Sequence, residues 1–161
     1  YSIAITLADV LGMAPGRWKV FASDIDTQVL EKAQSAIYRQ DELKTLAPLQ
    51  MQRYFMRGTG PHDGLVRVRS DLASHMEFAP INLLDKQAPI PGPFDAIFCR
   101  NVMIYFDKAT QQQILQRFVP LLKPGGLLFA GHSENFSNLS REFLLRGQTV
   151  YGLSKERKRK K

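Results

Sequence analysis

The chain has 161 residues, of which 44% are hydrophobic and 23% are charged, and this length and composition are typical of one globular domain with one core. Cysteine occurs once, at Cys99, so the sequence excludes a disulfide-linked fold, and no apolar run reaches the ~18 residues that a transmembrane helix needs. Most of the net charge of +7 lies in residues 155–161, which we expect to form a solvated, disordered basic tail.

The first third of the sequence predicts alternating helices and strands. Apolar residues recur at helical spacing near the start of the chain, at Ile3, Leu7, Val10 and Leu11. Residues 18–23 then predict a short buried strand, and Asp26 predicts the N-cap of a second helix. A polar stretch at about residues 41–54, interrupted near Pro48, predicts further helix.

The middle of the sequence changes to short β runs. Residues 54–57 and 65–69 form two such runs, and residues 58–64 between them favour turns. In the second run, alternation places Val66 and Val68 on an apolar face and mainly arginines on the opposite face. A third run, residues 75–79, either completes a small sheet or enters the main sheet.

The second half of the sequence again predicts strands that alternate with helix. Residues 94–99 predict a strand, Thr110 predicts the cap of the next helix, and residues 127–130 predict another buried strand. Residues 143–146 and 149–153 predict a terminal antiparallel hairpin. Near-continuous apolar strands between helices indicate an α/β fold with a doubly wound, mostly parallel sheet.

Polar residues follow several predicted strands, at the edge where ligands bind in open α/β sheets. Asp24 ends the first strand, and an acid at this position of a nucleotide-binding sheet accepts hydrogen bonds from ribose hydroxyls. The other polar residues at strand ends are Asp26, Asn82, Arg100, Asn101, Tyr105, His132, Ser133 and Glu134. Their shared placement at one sheet edge favours a ligand site there.

Spacing argues against several other chemistries. The glycines of residues 58–64 miss the spacing of a dinucleotide-binding G-x-G-x-x-G motif, and their loop joins two strands rather than opening a helix. The histidines, at positions 62, 75 and 132, have no metal-ligand spacing, so we expect no metal site. Cys99 lies within an apolar strand, which favours a packed core thiol over a nucleophile.

Five runs of sequence resemble the chemotaxis receptor methyltransferases, which are the CheR-type protein-glutamate O-methyltransferases. They are Tyr-Ser-Ile-Ala at 1–4, Phe-Ala-Ser-Asp-Ile-Asp at 21–26, Phe-Asp-Ala-Ile-Phe-Cys-Arg-Asn-Val-Met-Ile-Tyr-Phe at 94–106, Leu-Lys-Pro-Gly-Gly at 122–126 and Gly-His-Ser-Glu at 131–134. The Arg-Asn-Val-Met-Ile-Tyr-Phe segment is specific to that family, whereas Leu-Lys-Pro-Gly-Gly is a general methyltransferase signal. The basic tail departs from the family pattern.

The resemblance implies an enzyme that transfers a methyl group from S-adenosylmethionine to glutamate carboxylates of chemoreceptors in chemotaxis adaptation. The product of the cofactor is S-adenosylhomocysteine, the fold is Rossmann-like, and no metal is implied. Carried over by motif, Asp24 holds the ribose, Asn82 and Leu83 lie beside the adenosine, Arg100 and Asn101 face the methionine end, and Tyr105 lies near the transferred methyl group.

The resemblance also implies a domain arrangement. Residues 1–154 match a catalytic domain without its first strand and glycine-rich turn, with a small three-stranded antiparallel insert at about 54–79, and residues 155–161 are the basic tail. In the family the missing parts and an N-terminal helical domain come earlier in the chain, so we expect this truncated fragment to bind the cofactor poorly by itself. In enteric-type members the insert captures the C-terminal tail of the receptor as an added strand. The residues that match the insert are Arg57, Gly58, Gly60, Gly64 and Arg67.

Two alternatives stay open at this point. One is a non-catalytic module that binds the receptor tail, and the other is a nucleic-acid methyltransferase that uses the basic tail. Amino-methylating enzymes of the second class carry Asn-Pro-Pro-Tyr where residues 101–105 read Asn-Val-Met-Ile-Tyr, which counts against that alternative. We further expect a monomeric, cytoplasmic protein that is not inserted into the membrane.

Overall fold

The computed structural model describes residues 1–86, 88–137 and 139–154. The chain divides into two compact units, Tyr1–Asn82 and Leu83–Lys161. Each unit has its own sheets and its own hydrophobic core, which differs from the single core expected from the chain length. The expected basic tail, residues 155–161, lies outside the described residues.

The first unit contains four α-helices and five strands among its described residues, together with short 3-10 helices at Gln40–Leu43 and Gly60–His62. The α-helices and strands are α1 (Ser2–Leu11), β1 (Val20–Asp24), α2 (Thr27–Ser35), β2 (Ile37–Arg39), α3 (Pro48–Tyr54), β3 (Phe55–Arg57), β4 (Leu65–Val68), α4 (Ser70–Ala73) and β5 (Met76–Pro80). Strands β1 and β5 pair in parallel, with Ser23 opposite Ala79. This parallel pair, connected through helices, is the arrangement that the strand–helix alternation predicts.

Helix α1 forms where the sequence predicts it but buries a different face. Its buried residues are Ala4, Ile5 and Ala8, whereas Val10 is 76% exposed. Apolar side chains occur around most of this helix, so their periodicity alone does not select one face. The hydrogen bond from the Tyr54 hydroxyl to Asp9 helps to fix the rotation of the helix.

A three-stranded antiparallel sheet is present, but its boundaries differ from the expected 54–79. Its strand order is β2-β4-β3, and the run at residues 75–79 falls instead within β5, parallel to β1. Strand β2 supplies the third strand because Ala36, with a left-handed φ of 56°, turns the chain directly out of α2. No glycine or proline marks this turn in the sequence. Val66 and Val68 are buried, as their alternation predicts.

The second unit is built around a four-stranded sheet. Its elements are β6 (Phe94–Cys99), α5 (Lys108–Leu121), β7 (Leu122–Ala130), β8 (Phe143–Gly147) and β9 (Val150–Leu153). The strand order is β6-β7-β9-β8, in which β6 and β7 are parallel and the other pairs are antiparallel. The predicted terminal hairpin is thereby confirmed.

The α5 helix begins at a different cap from the one predicted. Asp107 is the N-cap, and its carboxylate accepts a hydrogen bond from the backbone N–H of Thr110 at 2.7 Å. Thr110 therefore lies inside the first turn, because an aspartate three residues earlier competes for the same role. The helix buries Ile114, Leu115 and Phe118 against the sheet core.

Candidate functional site

Asp24 and Asp26 follow β1 and have separate local roles. The Asp24 Oδ1 atom accepts a hydrogen bond from the backbone N–H of Asp26 at 3.0 Å. The Asp26 Oδ1 atom accepts from the N–H groups of Gln28 and Val29, which confirms the predicted cap of α2. The side chain of Asp24 is exposed and its bond to Asp26 uses Oδ1, so this carboxylate suits a ligand that donates hydrogen bonds.

Asn82 follows the strand beside Asp24. The backbone N–H of Ile81 donates to the carbonyl oxygen of Asp24 at 2.9 Å, which brings the ends of β1 and β5 together. Asn82 is exposed immediately after this contact. The first unit therefore brings Asp24 and Asn82 to the same strand end. Leu83 belongs to the second unit, where it packs against the core and its carbonyl accepts from Arg117.

The turn at residues 100–105 follows β6 and carries three of the predicted site residues. Asn101 adopts a left-handed φ of 59°, which Asn tolerates better than most residues. Met103 is fully buried in the core of the second unit, whereas Arg100 and Asn101 are exposed. Tyr105 is 80% exposed, so its ring does not belong to the hydrophobic core.

Glu134 holds this turn and is the residue that sequence reasoning undervalued. Its buried carboxylate accepts backbone N–H hydrogen bonds from Asn101 and Val102 at 3.1 Å, from Met103 at 2.8 Å and from Gly131 at 2.5 Å. The sequence placed Glu134 among the strand-end residues but gave no sign that it would be buried. The available signal was an acid three residues after the glycine that follows a buried strand.

The carbonyl groups of the same turn are held from α5. The side-chain amide of Gln111 donates to the carbonyl of Met103 at 2.8 Å and to that of Phe106 at 2.9 Å. A glutamine on a helix carries no sequence signal for this role. The turn is thus fixed on both sides while Arg100, Asn101 and Tyr105 stay exposed, so it can present polar groups to a ligand in a fixed arrangement.

Cys99 is a core thiol, as predicted. It is buried at the end of β6, and burial, with a smaller effect of the nearby Glu134 charge, raises the pKa of its thiol to about 12. The thiol is therefore protonated near neutral pH and is not a nucleophile. Among the described residues there is no cluster of three or more His, Cys, Asp or Glu side chains that could hold a metal ion.

The β3–β4 hairpin carries the residues assigned to receptor binding. Arg57 pairs with Val66 and Arg67 pairs with Met56, so the two arginines lie on opposite faces of the hairpin, and both are exposed. The loop shape needs its glycines: Gly60 and Gly64 have left-handed φ values of 58° and 78°, and a Cβ at Gly58 would collide with the His62 carbonyl. Strand β3 lies at one edge of the three-stranded sheet.

No helix within the described ranges is long and apolar enough to cross a membrane.

Comparison with known proteins identifies close relatives. A family model described as "CheR methyltransferase, SAM binding domain" matches residues 1–151. The chain is 80% identical to the chemotaxis protein methyltransferase of Salmonella typhimurium over 98% of this chain and 54% of that protein. It is 78% identical to the protein of the same name from Escherichia coli, over 97% of this chain and 54% of the relative. It is also 53% identical to chemotaxis protein methyltransferase 2 of Pseudomonas aeruginosa, over 94% of this chain and 54% of the relative.

The chain spans about half the length of the curated relatives that it matches. The family match confirms the α/β methyltransferase fold class predicted from the sequence, and it includes every residue of the predicted site. It also confirms the resemblance carried by residues 94–106 and the four shorter runs. The chain belongs to the CheR methyltransferase family.

Proposed function

We propose that the whole protein transfers a methyl group from S-adenosylmethionine to glutamate carboxylates of chemoreceptors, and that this chain supplies part of its catalytic domain. The observation that carries the proposal is the family match over residues 1–151, which includes the fixed turn after β6. The named relatives are chemotaxis protein methyltransferases at up to 80% identity. A cytoplasmic location fits this activity, as does a monomer.

The residues of each unit fit a part of the cofactor. In the first unit, the exposed Asp24 carboxylate suits the ribose hydroxyls, and Asn82 at the same strand end suits the adenosine. In the second unit, Arg100 and Asn101 are exposed polar groups on a fixed turn and suit the charged methionine end. Leu83 packs against the core of the second unit, and we keep for it the assignment to the adenosine that the resemblance implies.

The chemistry needs alignment rather than proton transfer. S-adenosylmethionine, when bound, would supply the methyl group to a glutamate carboxylate oxygen, and the electron pair of the broken carbon–sulfur bond would stay on sulfur. The attacking carboxylate is already ionised near pH 7, so no general base is required. The task of this chain's residues is to orient the reactants and exclude water, and the exposed hydroxyl of Tyr105 is the group that we assign to the transfer step.

Transfer of a radioactive methyl group tests the proposal directly. The whole protein is incubated with chemoreceptor and labelled S-adenosylmethionine, and the label is expected in the receptor as methyl ester, which releases volatile methanol in base. A receptor whose candidate glutamates are replaced by alanine is the control. Base-stable label, or label in nucleic acid, would contradict the proposal.

We also propose that the β3–β4 hairpin binds the receptor's C-terminal tail as an added strand at the β3 edge. An extended peptide can use the backbone groups of an edge strand, and the exposed arginines at positions 57 and 67 suit an acidic peptide. The loop of Gly58, Gly60 and Gly64 fixes how the two strands join.

Calorimetric titration with a tail peptide tests this second proposal. Arg57→Ala and Arg67→Ala are each expected to weaken binding at least fivefold. Arg39→Ala is the matched control, because Arg39 lies on the opposite edge strand and its guanidinium is paired with Asp41. If all three variants bind the peptide with the affinity of the wild type, this binding site is ruled out.

A further inference from the structure

We propose that Glu134 is a positioning residue that sets the rate of methyl transfer by holding the turn at residues 100–105 through its backbone N–H groups. The inference rests on the proposed function, because this turn carries the residues assigned to the cofactor and to the transfer step. It adds a residue that touches neither reactant and acts through the turn alone.

The carboxylate of Glu134 is almost fully enclosed by main-chain donors. The side chain is 6% exposed and accepts four backbone N–H hydrogen bonds, three of them from the consecutive residues Asn101, Val102 and Met103. No ion pair with Glu134 occurs within residues 1–86, 88–137 and 139–154. A buried carboxylate is tolerated only when its oxygens are satisfied, so the conformation of the turn and the burial of this side chain depend on each other.

The backbone of the turn is shaped to meet the carboxylate. Three successive N–H groups converge on one side chain because Asn101 adopts a left-handed φ of 59°. The other strand end approaches closely: a Cβ at Gly131 would lie 2.5 Å from Asn101 Oδ1 and 2.8 Å from Glu134 Oε2. A Cβ here would also lie 3.0 Å from the backbone nitrogen of Asn101, so a larger side chain would displace the Glu134 carboxylate, the start of the turn, or both.

The hydrogen bonds that fix the backbone of the turn leave its functional side chains exposed. Glu134 holds the N–H groups of the turn, and Gln111 holds the carbonyls of Met103 and Phe106. The Met103 side chain is in the core, whereas Tyr105 is 80% exposed between these anchors. The position of the Tyr105 ring is thus set by contacts to main chain rather than by packing of the ring itself.

Glu134→Gln in the whole protein tests the inference, since it keeps the shape of the side chain and removes its charge and one acceptor. Amide hydrogen exchange at Asn101, Val102 and Met103 is expected to become at least tenfold faster, while the amides of the β7–β9 pairing keep their rates. The kcat for methyl transfer, at saturating cofactor and receptor and at a temperature where the variant is fully folded, is expected to fall at least tenfold.

Two further variants and one control complete the design. Gly131→Ala disturbs the same contacts from the end of β7 and is expected to produce the same pair of changes. Glu134→Asp keeps the charge and is expected to retain more activity than the glutamine variant. Glu142→Gln removes an exposed glutamate of the same unit and is expected to alter neither readout.

The outcomes separate this inference from the proposed function. A wild-type protein that methylates no receptor glutamate overturns the proposed function, and with it the positioning role. Faster exchange with an unchanged kcat overturns the positioning role alone, and unchanged exchange shows that Glu134 does not hold the turn. If Glu134→Gln does not fold, Glu134→Asp and Gly131→Ala give the same two readouts.

Discussion

Asp24 and Asp26 show how two carboxylates two positions apart come to differ in role. The Asp26 carboxylate accepts hydrogen bonds from the first backbone N–H groups of α2, whereas the Asp24 carboxylate accepts one local hydrogen bond and is exposed. The sequence could distinguish them, because only Asp26 precedes a helix by the spacing of an N-cap.

Replacement of Asp24 by alanine is expected to weaken cofactor binding. The loss of a charge-assisted acceptor corresponds to roughly 1.5–3 kcal/mol, or about 10- to 150-fold in Kd, as measured by calorimetry on the whole protein. Asp26→Ala is the matched control: it should lower the free energy of unfolding by about 1 kcal/mol and leave the Kd unchanged. Equal affinity of wild type and Asp24→Ala would remove Asp24 from the site.

Tyr105→Phe is expected to lower kcat without lowering Tm. The ring is 80% exposed, so loss of its hydroxyl removes no packing, and a reduced turnover would report on the transfer step itself. Tyr151→Phe provides the contrast, because the buried Tyr151 hydroxyl accepts from the N–H of Phe136 at 3.1 Å. That variant should lose stability by about 1 kcal/mol and keep its kcat. A normal kcat in Tyr105→Phe would contradict our assignment.

Among the secondary-structure elements, helices α1 and α3 are joined by side-chain hydrogen bonds. Asp9 on α1 accepts hydrogen bonds from the Tyr54 hydroxyl at 2.6 Å and from the Gln50 amide at 2.8 Å. These bonds hold the pKa of Asp9 below its usual value. Burial, together with the bond to Asp9, raises the pKa of Tyr54 to about 12. The pair is therefore stable with Asp9 ionised and Tyr54 protonated.

These hydrogen bonds predict that the free energy of unfolding decreases both at acidic pH, where Asp9 is protonated, and at alkaline pH, where Tyr54 is deprotonated. The contribution of Asp9 is present above its unfolded pKa of about 3.9 and is lost as the pH falls through the lower folded pKa. The contribution of Tyr54 is present below its unfolded pKa of about 10 and is lost as the pH rises toward about 12. Urea midpoints measured against pH should show the acid loss in wild type and a smaller one in Asp9→Asn. Parallel curves for the two proteins would contradict this prediction.

Elements with a strong pattern could be predicted from the sequence, and those fixed by tertiary contacts could not. β6 was predicted with its exact bounds and the start of α5 to within a few residues, since residues 94–99 are apolar except for Asp95 and α5 carries apolar residues at helical spacing. β2 was missed because it has three residues and follows a left-handed alanine rather than a glycine. The buried state of Glu134 was missed because four backbone donors from two separate segments create it.

At the scale of the whole molecule, charge and function are separable. The net charge is +7, and residues 155–161 contain six basic residues and one acid. Every residue assigned to the cofactor, to the transfer step or to the receptor tail lies before this segment.

Deletion of residues 155–161 is therefore expected to leave receptor methylation and cofactor affinity unchanged. Binding to double-stranded DNA, measured by fluorescence anisotropy at low salt, should fall, because fewer phosphates are neutralised. The full-length protein at higher salt serves as the control, since screening should have the same effect on DNA binding. A deletion that abolished methylation would contradict this prediction and show that the tail takes part in receptor methylation.

The hydrogen bonds between the Glu134 carboxylate and the backbone of the turn at residues 100–105 suggest where side chains can be changed in protein engineering. Because the carboxylate accepts hydrogen bonds from backbone N–H groups, we expect substitutions of the exposed Val102 and Ile104 side chains to leave the backbone conformation of the turn unchanged. A library restricted to these two positions would vary exposed apolar groups next in sequence to Asn101 and Tyr105, which we assign to the cofactor and to the transfer step, on an unchanged backbone. Backbone geometry and exposed side-chain chemistry are thus set by different atoms of the same short segment, so variants at these positions can be screened for altered methyl acceptors without a change to the fold.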